Sequence, residues 1–365
     1  MKLALIRRQF SSKGGAELYL QRLMRELSVR GVHLSLIAQD MGDAPAGVTF
    51  HRTAAGGSRG RSALRFDSET QSILAAHDFD CVFSLERTSS QEVYRAGDGV
   101  HRVWLEQRRK YSPWWRRPFI GRGTFHRNML GLESATFDPA NTRRVIVNSL
   151  MVKREILRCF AFPENRIHLV RNGVDVTRMR SGDRAGTRTR LGVGDEEFLL
   201  LFAGSGWERK GLGYVLAALR KLRDPRVKLL VAGKGRRSWF TPANAIFAGP
   251  MADVENAYAA ADLLVFPPIY EPSANVCFEA LAAGLPVVTS ACNGAAEILD
   301  EGVNGTVLAE PSDVDAIVNA IRYWQARPHL RPIPVNYDLS IERNVRETLS
   351  VLEGAAAERA AAKGR

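Results

Sequence analysis

The chain has 365 residues, a formal net charge of +12 and a hydrophobic fraction of 45%. This composition is ordinary for a soluble globular protein and excludes a disordered or fibrous chain, and the length predicts two domains. No run approaches the roughly 18 apolar residues of a membrane span, and the arginines in MKLALIRRQF argue against a secretory signal. Four scattered cysteines without a CxxC pair indicate reduced thiols and give no metal-ligand spacing.

The excess of positive charge lies in the first half of the chain. Residues 1–175 carry 28 basic and 17 acidic side chains, whereas residues 176–365 carry 23 and 22. Within Arg102–Arg127, eight basic residues and one acidic residue are interleaved with Trp, Tyr and Phe. We expect this segment to contact an anionic membrane surface. The alternatives are a solvated basic face with its aromatics in the core, and stacking on single-stranded nucleic acid, which we do not expect as a partner.

Short apolar strands alternate with amphipathic helical patterns along the chain. In the first half, strands are predicted at residues 3–6, 34–38, 81–85 and 145–147, with a helix from about residue 16 that ends at Gly31. In the second half, strands are predicted at residues 198–203, 227–232, 245–247, 263–266 and 286–289, with a helix at 212–222. Residues 340–352 are predicted as an amphipathic helix with a frayed tail, and the polar residues 175–192 as an unpatterned junction.

Nearly continuous apolar strands separated by helices are typical of parallel sheets covered on both faces. The predicted fold class is therefore α/β, with two doubly wound, Rossmann-like domains facing each other across a cleft. We place the basic first domain at residues 1–175 and the second at residues 176–335. Residues 336–365 are predicted as a C-terminal helix that packs back on the first domain.

Ligands of doubly wound sheets bind beyond the carboxyl ends of the strands, often at helix N-termini. The loop SSKGGAE at residues 11–17 follows the first strand, and Gly14 and Gly15 would let backbone amides approach a phosphate. A tight turn without a ligand is the alternative. The loop AGSGWERKG at residues 203–211 places Arg209 and Lys210 at a helix start, as a diphosphate site would. The alternative there is a surface pair of basic side chains.

The third loop begins the segment EPSANVCFEALAAGLPVV at residues 271–288. Pro272 fixes φ at a helix start, and the Ser273 side chain can help cap that helix. Glu271 precedes that helix, and Glu279 is expected about two turns inside it, on the same face. The two carboxylates suit a polyhydroxylated ligand with a phosphate between them, and two unrelated helix glutamates are the alternative.

With these motifs the sequence resembles glycosyltransferase family 4, which comprises retaining nucleotide-sugar transferases with the GT-B fold. The resemblance covers most of the chain and rests on the two glutamates seven residues apart together with GGAE, NGVD, GSGWERKG, AADLLVFPPIYE and EGVNGTVLAEPSD. The segment YRAGDGVHRVWLEQR at residues 94–108, with the basic stretch that follows, looks like the lipopolysaccharide core glucosyltransferase I group. That group adds glucose to an inner-core heptose.

The resemblance implies roles for the charged residues of the donor site. Arg209 and Lys210 would hold the donor diphosphate and offset the charge that develops on it as it departs. Glu279 would bind the ribose hydroxyls of the nucleotide, and Glu271 would accept hydrogen bonds from the donor sugar. Because these basic side chains and helix dipoles take the place of a cation, no metal is expected, and the sequence has no DxD pair at a strand end.

The resemblance also implies that backbone groups bind the donor. Phosphate would lie at the helix N-terminus, near Ser273 and on the amides of Ala274, Asn275 and Val276. Many relatives have glycine where this chain has Ala274, so the backbone φ there must be negative. Gly14 and Gly15 belong to the same set, with Gly15 lying under the diphosphate from the opposite domain.

Asp98 and His101 are the candidate acceptor residues. They follow an apparent strand end in the basic domain, and Gly97 and Gly99 allow an exposed turn. Asp98 could orient or deprotonate the attacking hydroxyl. The alternative is a turn aspartate and a structural histidine. No covalent nucleophile is assigned, since the family favours front-side attack assisted by the leaving phosphate.

The sequence therefore predicts a retaining, metal-independent hexosyltransferase on the cytoplasmic face of the inner membrane. Its donor would be UDP-glucose, its acceptor the inner core of lipopolysaccharide, and it would need no cofactor. The alternatives are another donor, GDP-mannose or UDP-N-acetylhexosamine, with a glycolipid or capsule acceptor, and epimerisation of a nucleotide sugar. From another class, the alternative is a non-catalytic basic protein that binds membrane or nucleic acid.

Overall fold

The computed structural model describes residues 1–9, 15–40, 47–54, 60–237 and 241–363. Of residues 15–18, 329 and 363 it describes the backbone alone. The chain divides into two compact units. The first comprises Met1–Arg171 and Glu342–Arg365, and the second comprises Asn172–Ile341.

In the described part of the first unit, seven strands form a wholly parallel sheet in the order β3-β2-β1-β4-β5-β6-β7. Their bounds are β1 Lys2–Ile6, β2 His33–Ala38, β3 Thr49–Arg52, β4 Cys81–Ser84, β5 Gln91–Arg95, β6 Thr142–Val147 and β7 Ile167–Leu169. The order reverses between β1 and β4, which is the position where doubly wound sheets bind ligands.

Helices cover this sheet. They are α1 Gly15–Val29, α2 Ser62–Ala76, α3 His101–Tyr111, α4 Thr124–Thr136 and α5 Leu150–Cys159, with single 3₁₀ turns at Arg117–Phe119 and Glu164–Arg166. The predicted apolar face of α1 is confirmed, because Leu20, Leu23, Met24 and Leu27 are buried. Helix α1 ends at Val29, just before Gly31. Gly31 has φ of 72°, a conformation that favours glycine.

The described part of the second unit contains a six-stranded parallel sheet in the order β10-β9-β8-β11-β12-β13. Its strands are β8 Phe198–Ala203, β9 Val227–Ala232, β10 Ala245–Gly249, β11 Leu263–Phe266, β12 Val287–Ser290 and β13 Gly305–Leu308. Numbered within the unit, this is the 3-2-1-4-5-6 order of a doubly wound nucleotide-binding sheet, with its switch point between β8 and β11. The predicted α/β class with two such sheets is confirmed.

The second unit's helices are α6 Val176–Arg180, α7 Arg184–Leu191, α8 Trp207–Lys210, α9 Leu212–Leu222, α10 Val254–Ala260, α11 Asn275–Ala282 and α12 Val314–Gln325, with 3₁₀ turns at Gly294–Ile298 and Pro328–Leu330. Strand β8 is buried at every residue, as its unbroken apolar sequence predicts.

The prediction that residues 175–192 are an unpatterned junction is wrong. Asp175 and Asp183 cap α6 and α7, each accepting a hydrogen bond from a backbone amide of the first turn at 3.0 Å. Arg188 is buried, and its guanidinium donates to Asp262 at 3.1 Å and to neighbouring carbonyls. Polarity misled the prediction because a buried arginine whose terminal nitrogens are hydrogen-bonded looks like a surface residue in the sequence.

The last helix, α13, spans Ile341–Lys363. Ion pairs join it to the rest of the first unit, among them Arg22 with Glu342 at 2.5 Å and Arg30 with Glu353 at 3.5 Å. The predicted frayed tail is corrected: the helix continues through that segment, and Ala355 is fully buried. Among the residues described, no helix is long and apolar enough to cross a membrane.

Candidate active site

The Gly204–Gly211 turn connects β8 to α9 through the single-turn helix α8. Gly204, Gly206 and Gly211 have φ of 127°, 79° and 81°, the region that favours glycine. A Cβ at Gly211 would lie 1.9 Å from the carbonyl oxygen of Pro267. The turn therefore passes directly against the residue that follows β11, at the switch point of the sheet.

Arg209 and Glu271, which come from different loops, form an ion pair. Arg209 Nη1 lies 3.0 Å from Glu271 Oε2 and donates to the carbonyl oxygen of Tyr270 at 3.2 Å. Glu271 Oε2 is buried, and although it pairs with the charge of Arg209, it accepts no hydrogen bond from the described residues. The oxygen therefore keeps capacity to accept a hydrogen bond from a ligand hydroxyl.

Lys210 lies beside both predicted carboxylates. Burial lowers the pKa of Lys210, while the charges of Glu271 and Glu279 raise it and that of Arg209 lowers it. The Lys210 ammonium lies 5.4 Å from the centroid of the Phe266 ring. One cation thus interacts with both glutamates, so the structure brings together the four charged donor residues that the sequence singled out.

Glu279 is oriented by a buried tyrosine. The Tyr258 hydroxyl, which is fully buried, donates to Glu279 Oε2 at 2.5 Å. Burial raises the pKa of Glu279, while the Tyr258 hydrogen bond and the charges of Arg178 and Lys210 lower it. The predicted depth of Glu279 is corrected: α11 begins at Asn275, so Glu279 lies one turn inside the helix rather than two.

The start of α11 differs from the predicted cap. Ala274 is the N-cap residue, with φ of −74°, and the helix has no side-chain cap. The expected capping by Ser273 is therefore wrong, and the Ser273 hydroxyl is buried without a hydrogen-bond partner among the described residues. The negative φ expected at Ala274 is confirmed. Asn275 and Val276 head the uncapped first turn, which suits an anion.

Two asparagines that the sequence reasoning missed hold this helix start. Asn293 is buried, and its Oδ1 accepts hydrogen bonds from the amides of Ala274 and Ala295 at 3.1 Å each. The predicted phosphate contact of the Ala274 amide is corrected, because that amide already donates to Asn293. Asn172 Nδ2 donates to the Ser273 carbonyl at 3.0 Å and to Asn275 Oδ1 at 2.7 Å. Asn172 opens the NGVD motif, which was its signal in the sequence.

In the first unit, Asp98 and His101 lie just after β5. Asp98 is in an exposed turn, and Gly99 beside it has φ of 67°. The predicted exposed turn is therefore confirmed for Asp98. His101 is instead buried as the first residue of α3.

The imidazole of His101 pairs with a second histidine. His101 Nε2 lies 3.0 Å from His126 Nδ1, and the two rings stack with their centroids 5.2 Å apart. Burial, with the charges of Arg87 and His126, lowers the pKa of His101 to about 4, and Asp98 acts in the opposite direction. His101 is therefore neutral at pH 7, able to donate from one ring nitrogen and accept at the other.

A buried carboxylate, also missed from the sequence, lies beneath this turn. Glu133 of α4 is fully buried and accepts hydrogen bonds from the backbone amides of His101 and Arg102, the latter at 3.1 Å. Arg87 Nε lies 3.5 Å from the same carboxylate. Burial raises the pKa of Glu133, while the charge of Arg87 and the two backbone hydrogen bonds lower it. Nothing in the local sequence of α4 marks this role.

The basic segment Arg102–Arg127 runs through α3, a 3₁₀ turn and the start of α4. Trp114, Trp115 and Phe119 in its middle are 76%, 57% and 72% exposed. The alternative that placed the segment's aromatics in the core is wrong for these three. Large exposed aromatic side chains that lie together among arginines are typical of interaction surfaces.

Two further predictions concern the glycines at positions 14 and 15 and the absence of a metal site. Gly14 lies outside the described residues, and α1 begins at Gly15. Over the described ranges, no group of three or more His, Cys, Asp or Glu side chains is placed to hold a metal ion.

The comparison with protein families defines the class as glycosyltransferase. A model described as Glycosyltransferase Family 4 matches residues 13–178, and one described as Glycosyl transferases group 1 matches residues 197–326. The two matches follow the two units in order and together span most of the chain. This chain therefore combines a glycosyltransferase family 4 domain with a glycosyl transferases group 1 domain.

Solved structures show the same fold. The chain is similar to the crystal structure of WaaG, a glycosyltransferase involved in lipopolysaccharide biosynthesis, with a TM-score of 0.77 and 23% identity over 97% of this chain and 98% of that one. Anabaena Alr3699/HepE in complex with UDP and glucose matches with a TM-score of 0.68 and 19% identity, covering 97% and 99%. The GT-B fold predicted from the resemblance is confirmed.

Known proteins also match this chain in sequence, over between about half and most of its length. The lipopolysaccharide glucosyltransferase WaaG of Escherichia coli K12 is 26% identical over 337 residues, covering 87% of this chain and 88% of the relative. An uncharacterized glycosyltransferase of Methanocaldococcus jannaschii is 30% identical over 190 residues, and the match spans about half of that relative, 48%. A D-inositol 3-phosphate glycosyltransferase of Mycobacterium marinum is 32% identical over 194 residues, covering 49% of this chain and 41% of the relative.

Proposed function

We propose that this glycosyltransferase is a retaining hexosyltransferase that moves glucose from UDP-glucose to the inner core of lipopolysaccharide. The observation that supports the donor class is the group of Arg209, Lys210, Glu271 and Glu279 at the switch point of the second sheet. Two cations suit a diphosphate, and two carboxylates suit sugar and ribose hydroxyls. The E. coli relative is a lipopolysaccharide glucosyltransferase, which supports glucose as the sugar and lipopolysaccharide as the acceptor.

In the proposed mechanism, Arg209 and Lys210 stabilise the charge that develops on the departing diphosphate. Glu271 accepts hydrogen bonds from the donor sugar, and Glu279 from the ribose. The acceptor hydroxyl attacks the anomeric carbon on the face that the diphosphate leaves, so the configuration is retained, and the hydroxyl proton passes to the leaving phosphate. The basic side chains and the uncapped start of α11 act in place of a metal ion.

Asp98 is the proposed acceptor-orienting carboxylate, because it is exposed in the turn after β5. His101 is buried and neutral, so we assign it a hydrogen bond to the acceptor or to the turn rather than proton transfer. The two predicted acceptor residues thus differ in role.

We further propose that the enzyme works on the cytoplasmic face of the inner membrane through Arg102–Arg127. Trp114, Trp115 and Phe119 would settle among lipid headgroups while the surrounding arginines contact anionic lipid. This surface would hold the enzyme where a lipid-linked acceptor is found.

A second candidate acceptor comes from the D-inositol 3-phosphate glycosyltransferase relatives. A phosphorylated polyol presents the same chemistry as a phosphorylated core sugar: hydroxyls beside an anion. The donors GDP-mannose and UDP-N-acetylhexosamine remain alternatives in the same site.

The test is a thermal-shift screen with UDP, GDP and ADP and their hexose conjugates, followed by transfer assays on deacylated inner-core lipopolysaccharide and on inositol 3-phosphate. Specific binding at about 100 times the dissociation constant raises the stability by about 2.7 kcal/mol. Arg209→Ala and Glu271→Ala should abolish the thermal shift with the nucleotide sugar, the transfer of the sugar, or both. Arg322 is an exposed arginine of the same unit, and Arg322→Ala should change neither measurement. A protein that neither binds any of these nucleotide sugars nor transfers sugar from them would refute the proposal.

A further inference from the structure

The turn that carries Asp98 is held from beneath by side chains of three separate elements. Glu133 of α4 accepts hydrogen bonds from the amides of His101 and Arg102 at the start of α3. Arg87, in the loop after β4, donates from Nη2 to the carbonyl oxygen of Gly99 at 2.7 Å. Asn148, which follows β6, donates from Nδ2 to the Gly97 carbonyl at 3.4 Å.

These supporting groups are buried. The Glu133 and Arg87 side chains are 0% and 7% exposed and form an ion pair at 3.5 Å, and Asn148 is also buried. A buried ion pair contributes little net stability compared with apolar side chains of the same volume. Its consequence here is geometric, because both carboxylate oxygens of Glu133 are directed at adjacent amides of one helix start.

His126 adds a second contact from the same helix. It precedes Glu133 by two turns of α4 and lies against the His101 ring at 3.0 Å. Helix α4 therefore contacts His101 both at its amide and at its imidazole. A shift of α4 would move the ring and the backbone of His101 together.

We propose that Glu133 and Arg87 are positioning residues that hold the Gly97–Gly99 turn and the start of α3 in the geometry that binds the acceptor. This inference rests on the proposed function for the identity of the acceptor, but the restraint on the turn does not. Neither residue touches the reacting atoms. They act through Asp98 and His101, whose misplacement by about 1 Å costs on the order of 100-fold in rate.

The test uses the double substitution Arg87→Met with Glu133→Gln in the full chain. It removes both charges at nearly constant volume, so no buried charge is left unpaired and the fold is expected to persist. The glutamine can accept one amide hydrogen bond, but its own amide group faces the other N–H. Hydrogen exchange at the amides of His101 and Arg102 should rise by about tenfold or more, since each protected amide depends on an acceptor.

Kinetics give the second readout. The double variant should lose about 100-fold in kcat/KM for the acceptor, with its affinity for UDP-glucose, measured by calorimetry, unchanged. The matched control is Lys153→Met with Glu164→Gln, an ion pair at 2.9 Å in the same unit that does not contact the turn. It should leave hydrogen exchange at the turn, kcat/KM for the acceptor and the affinity for UDP-glucose as in the wild type.

A milder variant covers the case in which the double substitution does not fold. Arg87→Lys keeps a positive charge beside Glu133 but loses the bond to the Gly99 carbonyl, and should lower the acceptor kcat/KM with the Tm unchanged. Wild-type exchange rates at His101 and Arg102 in a folded double variant, or wild-type acceptor kinetics despite faster exchange, would overturn the proposal. A wild-type protein that binds no nucleotide sugar would overturn the proposed function instead, since exchange needs no substrate.

Discussion

Replacing Gly211 with alanine perturbs the contact that brings the Arg209–Lys210 turn against the end of β11. Gly211 has φ of 81°, and an added Cβ would lie 1.9 Å from the Pro267 carbonyl oxygen. The left-handed backbone costs an L-residue about 1–2 kcal/mol. Forcing a methyl group into a packed contact adds about 1–3 kcal/mol. We therefore expect a loss of about 2–5 kcal/mol.

The assay is thermal unfolding together with UDP titration. For a unit of this size, the loss corresponds to a fall in Tm of about 5–15 °C, and UDP affinity should fall because the clash displaces Arg209 and Lys210. Gly213→Ala is the matched control: it lies in α9, and a Cβ there meets nothing within 4 Å. That change should be neutral or stabilise by up to about 1 kcal/mol. A Gly211→Ala protein with wild-type Tm and UDP affinity would refute the reasoning.

Three further predictions concern other parts of the molecule. Replacing Arg116 and Arg117 with Glu should weaken sedimentation with anionic vesicles at low salt, and the difference should shrink at high salt; Arg220→Glu with Arg322→Glu is the control, and unchanged sedimentation would contradict the membrane proposal. Because burial lowers the pKa of His101 from 6.5, the ordinary value for histidine, to about 4 in the fold, the unfolded state binds more protons between those pH values. The fold should therefore lose up to about 3 kcal/mol as the pH falls from 6.5 to 4, a loss that His101→Phe should lack when denaturant unfolding is followed across this range. Equal pH dependence of the two proteins would count against a buried, neutral His101. Tyr258→Phe removes the hydroxyl that donates to Glu279 at 2.5 Å and should cost about 1–3 kcal/mol in urea unfolding, so wild-type stability would show that the bond is immaterial.

Apolar patterning predicted five of the six strands of the second sheet and missed β13, Gly305–Leu308. Strands at Phe198–Ala203, Val227–Ala232 and Leu263–Phe266 and the helix at Leu212–Leu222 have the predicted bounds. These segments are buried on both faces, so their sequences are continuously apolar and their ends are marked by turn residues. For strand β5, Gln91–Arg95, only an end before Asp98 was predicted and not its bounds, because its polar residues, such as the buried Gln91 and Arg95, are bonded inside the first unit.

The sequence by itself determined the class of fold and the place of the charged candidate donor residues in it. Arg209, Lys210 and Glu271 follow strands that a doubly wound order makes neighbours, so local position along the chain was enough to place them at one edge of the sheet. The charge imbalance between the two halves was likewise a property of composition alone.

Only the tertiary structure decided which buried groups hold the candidate donor and acceptor residues in place. Tyr258 beneath Glu279, Asn293 at the Ala274 amide and Glu133 beneath His101 come from distant parts of the chain. The same is true of the exposure of Trp114 and Trp115. Hydrogen bonds and burial between elements depend on packing across many residues, and no periodicity within one segment reports which distant side chain will supply the partner.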